Sequence, residues 1–515
     1  MTSMSAPREG FSGTADIVPA GVFVLFVGTI VLAPTAVPLH LLGLLVVAGF
    51  LVHRIQVGGD PSLFLLLPSV MSAFQNVYLL TAVDRLTTGS LQVILVLNFL
   101  FALVLIACFG ILRKSVTPLA PRAITLVRSM MFALAIVAGW GIVSAAAFGA
   151  EVNAAFASLR NVTAPIIFLL VGLLAAQWAS PRRYIKYLVW LTIAVSLFGF
   201  YERFFTTRFW QTHNLAGLWE LKEIPVSVIT LVPPNFYSSE MIGGKQTIRM
   251  VSGFADPVNF GTFLFIGAAG ALFLGRRGAA TLAVVCTVFA ISKGALLGFL
   301  VLAVIWARYK ADRVMFYLAL AALGAVAGYF YLFTISNSTG STTAHVNGFL
   351  AAFTELPGAP LGHGLGKAGV VGRLFSQGSS ESTVSESGIG VIIGQLGLFG
   401  IVGYGIFFLT LFRRCVRLPD TSERVLAVGG LLAFATNAAF NEVALSPNSC
   451  APYFIVIGLL LGGHYAGGAA DRTNLPRRTQ QNSVGTLRRA SQGAGSTSRR
   501  RSGATTAPTA LPGSV

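Results

Sequence analysis

The chain has 515 residues, is 55% hydrophobic and only 10% charged, and has a mean hydropathy of +0.76. Soluble domains carry about 25% charged residues, so a soluble globular class is excluded. A net charge of +18 would suggest nucleic acid in a soluble protein; in a chain this apolar it asks which side of a membrane the charge faces.

A bilayer core about 30 Å thick needs about 20 apolar residues per helix. In chain order, predicted spans cover 17–35, 38–52, 62–80, 90–112, 126–148, 162–179, 184–201, 258–275, 279–291, 294–307, 314–335, 387–412, 425–441 and 450–468. The expected fold is an all-α integral membrane protein with about 14 (12–14) transmembrane helices: a multi-pass domain over 17–470 after a cytoplasmic segment, 1–16. The first apolar run is long and others follow at once, so it reads as a membrane helix and not a cleaved signal peptide. The abundant glycines suit membrane helices, where small residues let backbones approach. The four cysteines show no disulfide or metal spacing.

The segments 279–291 and 294–307 are each short. They read as one long helix or as two joined at Ser292-Lys293-Gly294. Two helices put the basic clusters at 113–114, 182–183, 276–277, 308–313 and 413–417 on one side, as the positive-inside rule asks. Both termini are then cytoplasmic, and Lys293 is at the outer surface.

Two long outer loops follow from this reading, at about 202–257 and 336–386. Loops of such length are usually functional or disordered. The first, with tryptophans, prolines and both charge signs, is expected to hold short interfacial helices. Residues 471–515 are rich in Ser, Thr, Gly, Arg and Pro without a hydrophobic period, as in a disordered tail.

The stretch TIRMVSGFADPVNFGTFLF, 247–265, opens the span after the first loop. Asp256-Pro257 fits an N-cap followed by a first-turn proline. Arg249 does not fit there as a cap, because the helix N-terminus is already positively polarised. It reads either as an interfacial cation meeting lipid headgroups or as part of an anion site, with phosphate the natural ligand of a guanidinium fork. In the second loop, PLGHGLGKAGV at 360–370 surrounds His363 with glycines. Glu386 reads either as a first-turn acid capped by Ser385 or as a general base at the outer surface. His345 and His363 are the loop's other titratable candidates.

Three segments in order resemble the O-antigen ligase and O-antigen polymerase (Wzy-type) superfamily: RMVSGFADPVNFGTFL at 249–264, SKGALL at 292–297, and the Gly-His-Gly of 362–364 followed by the helix start at 386–400. The resemblance covers about 180–465. It implies a GT-C-like helical fold in a bacterial cytoplasmic membrane and a metal-independent, cofactor-free glycosyl transfer. The donor is a polyprenyl-diphosphate-linked glycan, and an acceptor hydroxyl attacks its anomeric carbon. Arg249 would grip the diphosphate, Lys293 would add charge where the family usually has Arg, and Arg203, by location, is a second phosphate ligand. Glu386, at the family's His/Asp position, would orient or deprotonate the acceptor, with His363 as the other catalytic candidate. Glu386-Ser387 replaces the His-Asn of many ligases, which favours a polymerase of surface or exopolysaccharide repeat units. A ligase acting on a lipid or protein acceptor is the alternative, and a lipid-linked glycan flippase is the alternative of a different class. The partners implied are the donor, the glycan acceptor, membrane lipids and other polysaccharide assembly proteins, but not nucleic acid.

Overall fold

The computed structural model describes residues 13–115, 120–206, 208–222, 224, 226–227, 229–242, 245–336, 341–370 and 386–473. Expectations for the N-terminal segment before residue 13, for 371–385 of the second loop and for the tail beyond 473 lie outside the described residues. Met1–Gly467 forms one compact unit; of the second, Gly468–Val515, only the helical residues up to Thr473 are described.

The helices are α1 (Gly13–Leu32), α2 (Val37–Gln56), α3 (Ser62–Leu80), α4 (Thr88–Ser115), α5 (Pro121–Ala147), α6 (Val152–Ala175), α7 (Pro181–Phe200), α8 (Phe209–Thr212), α9 (Leu215–Leu221), α10 (Pro257–Phe273), α11 (Arg277–Ala290), α12 (Lys293–Lys310), α13 (Arg313–Ser336), α14 (Ser341–Glu355), α15 (Gly388–Val416), α16 (Thr421–Phe440) and α17 (Pro447–Thr473). A helix underlies each predicted span. Among the described residues nine helices are long and apolar enough to cross a membrane: α2 to α7, α13, α15 and α17. Three shorter apolar helices, Ala20–Leu32, α10 and α11, join them. The chain is an all-α, multi-pass membrane protein.

Burial separates centre from rim. The apolar windows of α6 and α17 are 83% buried, that of α13 0%. The α6–α17 contact depends on paired glycines. A Cβ on Gly172 would lie 2.5 Å from the Ile455 carbonyl oxygen, and one on Gly458 2.6 Å from that of Leu169. Without a strong hydrophobic force between helices in lipid, such close approach is what holds them.

Helices α11 and α12 are two helices, not one long one. Gly261, early in α10, abuts Ser292 just before α12. Phe265 then packs on Phe299 at 5.1 Å, and Phe273 at the end of α10 shares a groove with Trp306 and Lys310. So α12 runs parallel to α10 and packs on it, and α11, between them in the chain, runs back antiparallel. The chain reverses at Ile291, which adopts a left-handed conformation (φ 49°).

The first long loop contains the expected short helices, α8 and α9, after a π-turn at Tyr201–Phe205. It also holds an antiparallel hairpin, β1 (Tyr237–Ile242) and β2 (Lys245–Ile248), that an all-α reading did not anticipate. The second loop contains α14 and then the glycine-rich turn.

Candidate functional site

The segment after β2 is fixed from both sides. The buried Glu202 carboxylate accepts the Val251 and Ser252 amides at 2.9 and 3.2 Å and the Trp210 indole N–H at 3.2 Å. Ser252 Oγ donates to the Val195 carbonyl at 2.6 Å. These bonds hold Ser252 (φ 51°) in the left-handed region, and the Ala255 amide on the Ser252 carbonyl (3.0 Å) holds Ala255 (φ 48°) there, where a non-glycine residue costs about 1–3 kcal/mol. Asp256 is the N-cap of α10, accepting the amides of Val258 (2.7 Å) and Asn259 (3.0 Å). Burial pushes its carboxyl pKa up, while those bonds and the Arg249 charge pull it down.

Arg249 has a role that its own neighbourhood in sequence does not reveal. Its Nε donates to Ala290 O (2.9 Å), Nη2 to Ile291 O (3.1 Å) and Nη1 to Asn235 O (3.2 Å). Helix C-terminal carbonyls lack intrahelical partners and carry partial negative charge, so a cation is favoured there. Arg249 thus directly follows β2, eight residues before α10, but closes the end of α11 and fixes the reversal into Lys293.

Arg203 adjoins the same corner. Its guanidinium lies over the Phe204 ring (5.3 Å), and Phe204 meets Phe289 near the end of α11 (5.1 Å). Its Nε is buried without a hydrogen-bond partner.

Lys293 opens α12 and faces the second loop. Nδ1 of His345, on α14, lies 3.2 Å from Oε2 of Glu386, at ion-pair distance but without hydrogen-bond alignment. Burial lowers the imidazole pKa of His345; the Lys293 charge lowers it further, and Glu386 opposes both. Glu386 precedes α15 and is not in its first turn: the N-cap is Ser387, accepting the Gly390 amide (3.0 Å), rather than Ser385. The Glu386 carbonyl accepts the Glu442 amide (2.8 Å), which ties this corner to the turn between α16 and α17.

His363 stands apart. Its Nε2 pairs with Oε2 of Glu355 at 3.4 Å. Its amide donates to the Gly394 carbonyl (2.8 Å), six residues into α15 from Gly388, or roughly 9 Å along the helix. The glycines around it serve packing. A Cβ on Gly362 (φ 78°) would lie 2.5 Å from the Gln395 carbonyl, where α15 kinks at Gly397.

The predicted span 162–179 leaves out one cation that the helix includes, Arg160. It lies inside α6, bonded to Asn161 Oδ1 (3.3 Å) and the Leu95 carbonyl (3.4 Å), and no carboxylate meets it among the described residues. An ionisable residue within a membrane helix is a functional candidate by default. The cue in the sequence was that 152–161 is itself helix-compatible, which moves the helix start outward.

Among the described residues no group of three or more His, Cys, Asp or Glu could hold a metal ion. Comparison with protein-family models and with curated proteins finds no match.

Proposed function

We propose that this protein is a membrane glycan polymerase. It joins polyprenyl-diphosphate-linked repeat units at the outer face of a bacterial cytoplasmic membrane. In this reading all fourteen helices beneath the predicted spans cross the membrane, the Lys293 end faces outward, the basic clusters and both termini face the cytoplasm, and the fold is GT-C-like.

The observation that carries the proposal is the meeting of Glu386, His345 and Lys293 at one corner, beside the reversal that Arg249 fixes. An acceptor hydroxyl attacks the anomeric carbon of the donor glycan. A new glycosidic C–O bond forms, and the C–O bond to the diphosphate breaks. The hydroxyl proton passes to the Glu386–His345 pair. The departing diphosphate carries its charge to Lys293 and Arg203, in a setting of low dielectric where fixed cations stabilise strongly. Arg249, with its three nitrogens on carbonyls, positions this corner. His363, paired with Glu355, supports the glycine turn.

Glu386→Gln tests the proposal against a flippase. The variant should leave lipid-linked single repeats accumulating on the outer leaflet, accessible to externally added glycan-modifying enzyme. Single repeats trapped on the inner leaflet would mean transport instead.

A further inference from the structure

At the end of the helices away from Lys293, α10, α11, α12 and α16 border an open groove of about 590 Å³. That volume is in the range of ligand sites. Its walls are apolar, with Phe273, Phe299, Leu302 and Trp306 among them, and Arg277 and Lys310 stand at its border. Leu272 and Trp306 are 52% and 47% exposed, so the groove opens on the protein surface, which in a multi-pass membrane protein is bathed in lipid. Lys310 Nζ donates to Ser422 Oγ (2.6 Å), bridging α12 and α16. Arg182 lies over the Phe273 ring at 5.9 Å, a third cation at this end. An apolar cleft with cations at one end matches an amphiphile with acyl chains and an anionic head. A tryptophan at the same end suits the headgroup level.

We propose that this groove is a specific site for an anionic phospholipid, with its acyl chains against Phe273, Phe299 and Leu302 and its headgroup phosphate at Arg277 and Lys310. The bound lipid fills the seam between α10, α12 and α16. The site is independent of the glycan-transfer reading and rests only on the chain's being embedded in a membrane.

Native mass spectrometry of the purified full chain, titrated with phosphatidylglycerol or phosphatidylcholine, tests this. Wild type should retain phosphatidylglycerol selectively. Loss of one cation should weaken retention roughly 5-fold and loss of both roughly 30-fold, at about 1 kcal/mol per Lys or Arg. Arg277→Gln with Lys310→Gln removes the head contacts. Ala303→Trp, at an exposed lining position, fills the cleft and leaves both cations in place; it too should lose the lipid. Arg313→Gln removes a cation at this end that does not line the groove, and it should bind as wild type does. Equal retention of both lipids by wild type, unchanged binding in Ala303→Trp, or an equal loss in Arg313→Gln would overturn the proposal.

Discussion

Nδ1 of His345 lies 3.2 Å from Oε2 of Glu386, which brings α14 and the start of α15 together across the second long loop. If the pair receives the acceptor's proton, Glu386→Gln and His345→Gln should each lower turnover by about 10²–10⁴, the usual range for general acid–base groups. The double variant should be little worse than the poorer single one, because the two residues act as a unit. Turnover measured on detergent-purified protein at saturating donor checks this.

The pH profile follows from the same pair. Burial, then the Lys293 charge, hold the His345 imidazole below its ordinary pKa of 6.5, so it is neutral at pH 7. Activity should fall only as the pH drops through the lowered value. Lys293→Met removes one of the two lowering causes. Its acid limb should therefore move to higher pH, and turnover should drop because a charge facing the diphosphate is gone. An acid limb unmoved in Lys293→Met would separate the two residues.

Arg249 should matter first for stability. Hydrogen bonds from a charged donor contribute about 1.5–3 kcal/mol each, and buried carbonyls left bare add a penalty. Arg249→Ala frees the carbonyls of Asn235, Ala290 and Ile291, so Tm in detergent should fall markedly. Arg249→Lys, with a single ammonium in place of the fork, should recover only part of the loss. A normal Tm with lost turnover would instead place Arg249 on the substrate.

Lys222 should give the first long loop a pH response. Its Nζ bonds Asn76 Oδ1 at 2.6 Å and sits 4.0 Å from the Trp219 ring; burial lowers its pKa from 10.5 to about 7. When the loop lifts off α3, the amine is solvated and binds its proton up to about pH 10.5. Between those values the open state holds the extra proton, so closure strengthens as pH rises from about 7 towards 10.5 and is weakest, and level, below 7. Limited proteolysis of the loop should slow from pH 7 to pH 9 in wild type and show a smaller pH dependence in Lys222→Met.

The helices were legible in the sequence because apolar length is a local signal. So was the Asp256 N-cap, fixed by residues two and three positions on. The break at Ser292 came from the side-by-side count of basic clusters. What sequence could not supply were partners far along the chain. Arg249, expected as a phosphate ligand, finds carbonyls 41 and 42 residues away and braces a helix end. His345 and Glu386 are likewise separated by the glycine turn, while His363, which the motif favoured, goes to Glu355. The hairpin β1–β2 was hidden because its short strands lie in a loop whose composition carries no apolar alternation.

If Glu386 and His345 act in glycan chain growth, the length of the surface glycan depends on both. Cells lacking their own copy, complemented with wild type, Glu386→Gln or His345→Gln at equal membrane levels, would have their surface glycan extracted and sized on a gel. The account predicts a polymer ladder with wild type and a collapse to a single repeat unit with either variant. An unchanged ladder with both would contradict it.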